Sequence, residues 1–242
     1  MLDATLTALI GIARAAPDAT GYFPAMYARV TRRVLDDAAA RRFSQPARME
    51  RFVSVFADRY LRAQADPASA PRCWRAHFDT AGDTSLLVVQ HLLLGINAHV
   101  NHDLPAAVAD LADAGAPLDA IRPDFDAVND VLADVYRDLM GDLGRVTRWT
   151  AWADAYGGGR LFDFSLRRAR AQAWQAAVRL SALDGAARQR ELTAIDDLVA
   201  VLSYLIAHPS TPVRLLTAVL RRLETSDPST VTTALLGPLA SL

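Results

Sequence analysis

The chain has 242 residues, of which 52% are hydrophobic and 22% charged, so a large buried core is expected and long disordered segments are not. A net charge of −1 gives no electrostatic basis for binding nucleic acid or an acidic membrane surface, so neither partner is expected. All 26 basic residues are arginine, which excludes lysine chemistry such as a Schiff base, and the single cysteine, Cys73, excludes an intrachain disulfide.

The N-terminus and the longest apolar stretches bear on where the protein works. Met1-Leu2-Asp3 lacks the basic region with which a secretory signal begins. The longest apolar stretches, Leu86–Ile96 and Val199–Ala207, are too short to span a bilayer. We therefore expect a soluble, cytoplasmic protein.

The first half of the chain is predicted to be helical, because the strong helix formers Ala, Leu and Arg dominate it and no segment alternates like a strand. The central helix is expected to begin at Gly82-Asp83-Thr84 and to kink or restart before Pro105, because proline removes a backbone hydrogen bond. Asp103 is the predicted N-cap of the restarted helix. The other predicted helices here cover 2–16, from Asp18 or Thr20 to about 42, 47–64, 72–78 and 105–114.

The second half is also predicted to be helical after a turn at 114–123, which contains Gly115 and Pro117. Its predicted helices lie at about 124–140, 145–156, 160–183, 187–207, 212–224 and 229–239. No repeat or shift in composition marks a domain boundary. The sequence therefore predicts an all-α fold over residues 1–242, namely a single-domain multi-helix bundle with a kinked central helix.

A polar cluster interrupts the apolar central helix between Gln90 and Pro105. No Lys, Arg or Glu occurs between Asp83 and Asp103, although an exposed helix carries charges on its water face. We therefore predict an interior helix with a partly buried polar site. The polar side chains of the cluster are His91, Asn97, His99, Asn101, His102 and Asp103.

His99 and Asp103 are the predicted catalytic residues of this cluster. They are four residues apart, so their side chains meet on one face of a helix. A carboxylate beside a histidine raises the histidine pKa and fixes its tautomer, which makes an acid–base pair. His102 adjoins the predicted kink and is expected to cap the helix or face water.

Three further residues of the cluster are predicted to bind substrate. Asn97 and Asn101 are four apart and suit hydrogen bonds to a ligand oxygen, and His91 lies two turns before His99. Gly95 lies between these histidines and admits either a substrate or a closely packed neighbouring helix.

Outside the cluster, Asn129, Arg170 and Trp174 are also predicted to bind substrate. Asn129 borders the apolar stripe of a helix whose aspartates form a solvated face. Arg170 and Trp174 lie at the edge of the apolar stripe of residues 161–180. Arg170 is expected to pair with a buried carboxylate such as Asp103, to clamp an anionic substrate, or to reach out to water.

A metal site is the alternative interpretation of the cluster. No cofactor is predicted, but His99, Asp103 and His91 are ligand types that suit a divalent metal. The sequence contains no HExxH motif and no Glu-x-x-His pair, so the spacing itself does not favour a metal.

The segment Gly95–Leu104, GINAHVNHDL, resembles the GINAHINxDL core of the DUF5995 proteins, a bacterial and fungal family of unknown function. The resemblance covers about residues 20–182 and leaves a C-terminal helical extension at about 185–242. It supports the choice of site and implies no activity. The supporting matches are Tyr27–Thr31, Phe56–Tyr60, Trp74 with Phe78, Asp124-Phe125 with Val128-Asn129, and Arg170 with Trp174.

Three functions are compatible with these features. The leading hypothesis is an enzyme that rearranges, cyclises or eliminates a partly hydrophobic small molecule by proton transfer, with Arg170 balancing charge. The second is a metal-dependent hydrolase or oxygenase that uses His99 and Asp103 as ligands. The third is a non-catalytic helical binding or scaffold protein, and homo-oligomers are possible in each case.

Overall fold

Helices account for most of the residues that the computed structural model of the protein describes, namely 2–147, 158–225 and 227–241. Within these ranges the extended structure is an isolated bridge between Thr147 and Glu224, and the predicted all-α fold is confirmed. The α-helices are α1 (Leu2–Ala15), α2 (Tyr22–Ala39), α3 (Pro46–Ala65), α4 (Arg72–Asp79), α5 (Val88–Ala98), α6 (Leu104–Asp113), α7 (Leu118–Leu143), α8 (Gly158–Ser181), α9 (Gly185–Ala207), α10 (Thr211–Arg221) and α11 (Pro228–Leu236).

The central helix begins later than predicted, at Val88 instead of Gly82–Thr84. Residues 80–87 form turns, in which the Asp83 carboxylate accepts the Ser85 backbone N–H at 2.9 Å. The start is fixed by Gln90, whose side-chain oxygen accepts the Leu87 N–H at 3.0 Å. This bond satisfies a donor that has no partner inside the helix.

The predicted interruption of the central helix before Pro105 is confirmed, because a new α-helix begins at Leu104, but the predicted N-cap role of Asp103 is wrong. Asp103 has helical backbone angles, φ −75° and ψ −38°, and its side chain makes no capping bond. His99–Asp103 instead forms a π-helical turn between α5 and α6, in which the Leu104 N–H donates to the His99 carbonyl. This turn already departs from the α-helical hydrogen-bond pattern, so Pro105 can follow it without breaking the chain direction.

Helix α7 (Leu118–Leu143) continues without interruption through Pro123, so the predicted turn at 114–123 is wrong for residues 118–123. Ile121 and Phe125 are buried on either side of the proline and anchor the helix in the core. The Asp124 carboxylate accepts the Ser44 N–H at 2.6 Å, which adds a tertiary constraint. Burial and this bond outweigh the hydrogen bond that proline removes.

The central helix, made of α5, the π-turn and α6, is surrounded on most sides. It contacts α2, α4 and α9 through α5, and α3 and α8 through α6. Two clusters of buried apolar side chains meet along it, one on the α1–α2–α4 side and one on the α3–α7–α8 side. This arrangement places the predicted polar cluster inside the protein.

Two further observations concern the remaining elements. The helix predicted at 145–156 lies mostly outside the described residues, and its described part, 145–147, is a turn that ends at the bridge to Glu224. None of the described helices by itself is long and apolar enough to cross a membrane, whereas α9 and α10 pass that test together as a pair bent by 61°.

Candidate functional site

Asp103 is the hydrogen-bonding centre of the candidate site. Its carboxylate accepts a bond from the Trp74 indole N–H at 2.9 Å and contacts Nδ1 of His99 at 3.1 Å and Nδ1 of His102 at 2.9 Å. The π-turn makes this possible, because its wider winding directs His99 and His102 to the two oxygens of one carboxylate. The predicted meeting of His99 and Asp103 is confirmed.

Asp103 is ionised at neutral pH although it is buried. Burial opposes the charge, but the hydrogen bonds from His102 and His99 outweigh it and hold the pKa of Asp103 at about 2. Since the indole N–H of Trp74 can only donate, the carboxylate must accept. The Asp103 carboxylate therefore accepts a hydrogen bond from Nδ1–H of His99, and Nε2 of the neutral ring carries no proton.

The His99 ring is held firmly among aromatic side chains. It stacks on Phe56 with ring centroids 3.6 Å apart and meets the edge of Tyr27 at 4.6 Å. Burial lowers the pKa of His99, against the opposing effect of Asp103, so the imidazole is neutral at pH 7. Its Nε2 is buried and has no hydrogen-bond partner.

His99 is one of the residues that line an apolar cavity of about 100 Å³. Helices α2, α3, α7 and α8 and the central helix supply its walls. The apolar lining residues include Met26, Val30, Phe52, Phe56, Val128 and Val135. Such a lining suits a ligand that is mostly hydrocarbon.

Two residues of α2 that carry hydroxyl groups share this lining with His99. Tyr27 and Thr31 are four residues apart on α2, so they lie on the same face of that helix. The Tyr27 hydroxyl, the Thr31 hydroxyl and Nε2 of His99 are all buried without a hydrogen-bond partner. An unpartnered buried polar atom costs about 1–3 kcal/mol. The two hydroxyl groups can donate or accept a hydrogen bond, whereas the bare Nε2 of His99 can only accept one.

Arg170 also lines the cavity, and it is bound to α7. Its Nε donates to the Asn129 side-chain oxygen at 2.8 Å, and its Nη2 donates to the Phe125 carbonyl at 2.6 Å. Burial lowers the pKa of Arg170 to about 10, which still leaves it charged at pH 7. No ion pair to Asp103 forms, so the expected pairing with that carboxylate is wrong.

Asn97 and Asn101 do not line the cavity. Asn97 donates to the Val199 carbonyl at 3.0 Å and to the Ser203 hydroxyl at 2.9 Å, both on α9. Asn101 donates to the Asn97 side-chain oxygen at 2.8 Å. Asn97 therefore attaches α9 to the central helix, and Asn101 supports the Asn97 side chain.

His91 and Gly95 lie away from the cavity. His91 is buried against the edge of Tyr22, with ring centroids 5.9 Å apart, and its Nδ1 has no partner. A Cβ at Gly95 would stand 2.5 Å from the Phe23 ring. Gly95 therefore admits the neighbouring helix α2, which was one of its two expected roles.

Trp174 and Asn129 lie outside the wall of the cavity. Trp174 is buried against Phe125, with ring centroids 5.0 Å apart, and the Arg122 guanidinium lies 4.8 Å from its ring. It is not among the residues of the cavity wall. Asn129 reaches the cavity only through its hydrogen bond to Arg170.

The donor groups do not favour the metal alternative. Among the described residues, no three His, Cys, Asp or Glu side chains lie together in a way that could hold a metal ion. His99 and His102 both direct Nδ1 to Asp103, and His91 packs against Tyr22 instead.

The sequence assigned no site role to the cavity residues Tyr27, Thr31 and Phe56, although Tyr27–Thr31 and Phe56–Tyr60 are among the segments that resemble the family. The available signal was weak: Phe23, Tyr27 and Thr31 follow one another at four-residue spacing, and Thr31 puts a hydroxyl in an inward stripe. His102, expected to cap the helix or face water, also touches a second, polar cleft that Arg59, Arg75 and Asp196 help to line.

Comparison with known proteins gives a family without an activity. The model of a family described as "Family of unknown function (DUF5995)" matches residues 2–209. The match is wider than the resemblance over 20–182 and takes in α1 and α9. No curated protein and no solved structure matches the chain.

Proposed function

We propose that this chain, which belongs to the DUF5995 family, is an enzyme that moves a proton on a mostly apolar small molecule bound in the cavity at His99. One observation carries the proposal. His99, Tyr27 and Thr31 line one apolar cavity, and each of them carries a buried polar atom without a hydrogen-bond partner. Binding and catalytic sites are where a protein tolerates such unsatisfied groups.

His99 is the general base in this mechanism. Its Nε2 carries no proton, and Asp103 orients the ring and stabilises the imidazolium that forms when a proton is taken up. Trp74 and His102 hold Asp103 in turn, so they are positioning residues. General base catalysis by a positioned side chain contributes roughly 10²–10⁴-fold to a rate.

Tyr27 is the hydrogen-bond donor to the substrate. Burial raises the pKa of its phenol well above the ordinary value, so the hydroxyl keeps its proton at neutral pH. A substrate oxygen near Tyr27 and Thr31 would accept hydrogen bonds while His99 takes a proton from the adjacent carbon. Base-catalysed rearrangement, cyclisation and elimination begin with such a step.

The substrate class follows from the lining. Apolar side chains make up most of the wall, and its polar residues are Tyr27 and Thr31 on α2, His99 on the central helix, Tyr136 on α7 and Arg170 on α8. A hydrocarbon chain or ring with a carbonyl or hydroxyl group fits this distribution.

Solvent deuterium exchange tests the proposal. The protein is incubated in deuterium oxide with 2-undecanone, an apolar ketone, and deuterium on the carbons beside the carbonyl is measured by mass spectrometry. Binding of the ketone is measured on the same samples by calorimetry. Wild-type protein is expected to bind the ketone and accelerate exchange, whereas His99→Gln should bind and lose at least 100-fold of the acceleration. His208→Gln, at an exposed histidine, is the control.

Two results would contradict the enzyme. Absence of ketone binding would refute the proposal that the cavity binds an apolar small molecule. Binding with equal exchange in wild type and His99→Gln would make the protein a carrier of apolar molecules. This second candidate function is favoured by the structural role of Asn97 and Asn101, because it leaves fewer polar groups for chemistry.

A further inference from the structure

Helix α10 turns its polar side to the protein and its apolar side to solvent. No residue of α10 is buried, and Arg221 on its inner side donates to the Thr84 carbonyl at 2.8 Å. Leu215, Leu216 and Val219 on the opposite side are 66%, 58% and 58% exposed. A helix that packs on a globular core has the reverse orientation.

The second half of α9, which precedes α10 in the chain, also exposes apolar side chains. Val199 and Ser203 face the core, where they meet Asn97, while Leu198, Val201 and Leu205 are 63%, 56% and 56% exposed. We call Leu198, Val201, Leu205, Leu215, Leu216 and Val219 the apolar patch. Six large aliphatic side chains on adjacent helices are more than isolated surface exposure, and such patches mark interaction sites.

The segment that carries α10 and the end of α9 is basic. No Asp or Glu occurs between Asp197 and Glu224, whereas Arg214 and Arg222 are exposed beside the patch. Asp197 pairs with Arg72 at 2.7 Å, on the α4 side of α9. The Glu224 side chain is fully buried and accepts the Val88 N–H at 3.0 Å.

We infer that the apolar patch docks on the surface of a lipid bilayer that carries anionic headgroups. An amphipathic helix with exposed aliphatic side chains and flanking arginines lies in the interface, with its apolar face in the acyl boundary and its cations at the phosphates. Each arginine near an anionic surface strengthens such binding about fivefold. The inference does not depend on the proposed function.

A second copy of the chain is a poorer occupant. A two-fold interface buries the same residues from both copies, so it would bring Arg214 and Arg222 of each copy to a surface without carboxylates to pair with them. The near-neutral net charge had predicted no membrane partner. The net charge is a sum over the whole chain, so it does not reveal that the 26 residues 198–223 contain no acidic side chain.

Vesicle co-sedimentation tests the inference. The full chain is mixed with vesicles of phosphatidylcholine alone or of phosphatidylcholine with phosphatidylglycerol, at low and high salt. We expect binding to the anionic vesicles that weakens with salt. Arg214→Gln/Arg222→Gln should weaken it about 30-fold, and Leu215→Ser/Leu216→Ser/Val219→Ser should abolish it. Circular dichroism verifies that each variant is folded.

Two matched controls separate the patch from general exposure. Phe164 is 63% exposed on α8, outside the patch, so Phe164→Ser should leave binding unchanged. Arg51→Gln/Arg190→Gln removes two exposed charges elsewhere and should reduce binding less than threefold. The inference is overturned if the wild-type protein binds neither kind of vesicle. It is also overturned if the arginine and the aliphatic variants of the patch bind as tightly as the wild type. A dimer that forms through Leu215 and Leu216 and excludes vesicles would assign the patch to a second copy and also overturn it.

Discussion

At the residue scale, the site rests on Gly95 as much as on the histidines. A Cβ there would stand 2.5 Å from the Phe23 ring, which packs on His99 with ring centroids 5.4 Å apart. Gly95→Ala should therefore overpack the core and lower the free energy of unfolding by about 1–3 kcal/mol. Chemical denaturation would measure it.

Gly141 provides the matched control for that substitution. It lies inside α7 with no atom within 4 Å of an added Cβ. Gly141→Ala should stabilise the protein by about 1 kcal/mol, because alanine is the better helix former. If both substitutions stabilised the protein equally, close packing at Gly95 would be refuted.

The buried His77 ring makes the free energy of unfolding depend on pH. Burial lowers its pKa from 6.5 to about 3 in the folded protein, and neither ring nitrogen has a hydrogen-bond partner. Between these pH values the unfolded chain binds a proton that the folded chain does not, so stability falls as pH falls. His77 alone should cost about 2 kcal/mol between pH 6.5 and 5. Urea unfolding of His77→Phe should show a correspondingly smaller loss, and an unchanged pH dependence would be evidence against this assignment.

The sequence predicted one contact of the site well and missed the others. His99 and Asp103 meet because helical spacing determines which side chains share a face, and the four-residue interval survives the π-turn. Trp74 approaches Asp103 from a separate helix, which spacing along one helix cannot indicate. Tyr27 and Thr31 carry no signal of being unpartnered until the helices are packed.

At the scale of elements, α9 is held to the central helix by amides that the sequence assigned to substrate. Asn97→Ala removes the bonds to Val199 and Ser203 and should lower stability by about 1–3 kcal/mol. Thr193→Ala, at an exposed residue of α9, should change stability by less than about 0.5 kcal/mol. Loss of catalytic turnover in Asn97→Ala without loss of stability would instead support the predicted role of Asn97 in binding substrate.

Helix boundaries were less predictable than helix positions. Most predicted helices correspond to observed ones, because composition and apolar spacing repeat over several turns. Pro105 and Pro123 misled the prediction, since each is accommodated by tertiary structure: a π-turn before the first, and burial of Ile121 and Phe125 around the second. Local sequence rules predict that such a proline destabilises a helix, but they do not reveal the tertiary contacts that offset this effect.

At the scale of the whole molecule, the cavity is a product of five packed walls and has no sequence signature. Val135 lines it, whereas Val131, one turn earlier on α7, is buried outside it. Val135→Phe should fill the cavity, block ketone binding and raise stability by up to about 1 kcal/mol. Thermal unfolding and calorimetry would measure both effects.

Val131→Phe is the companion variant. The same added volume has no cavity to enter there, so it should destabilise the protein by about 1–3 kcal/mol. Equal effects of the two substitutions would show that the space beside Val135 does not behave as a cavity.

The central claim is that His99 offers a neutral ring with a bare Nε2 to the cavity. Nitrogen NMR of ¹⁵N-histidine-labelled protein, titrated from pH 8 to 4, tests it most directly. The account predicts the Nδ1–H tautomer and a titration midpoint below the ordinary pKa of 6.5, with a change at Nε2 when 2-undecanone binds. A proton on Nε2 at pH 7, or a midpoint at or above 6.5, would contradict it.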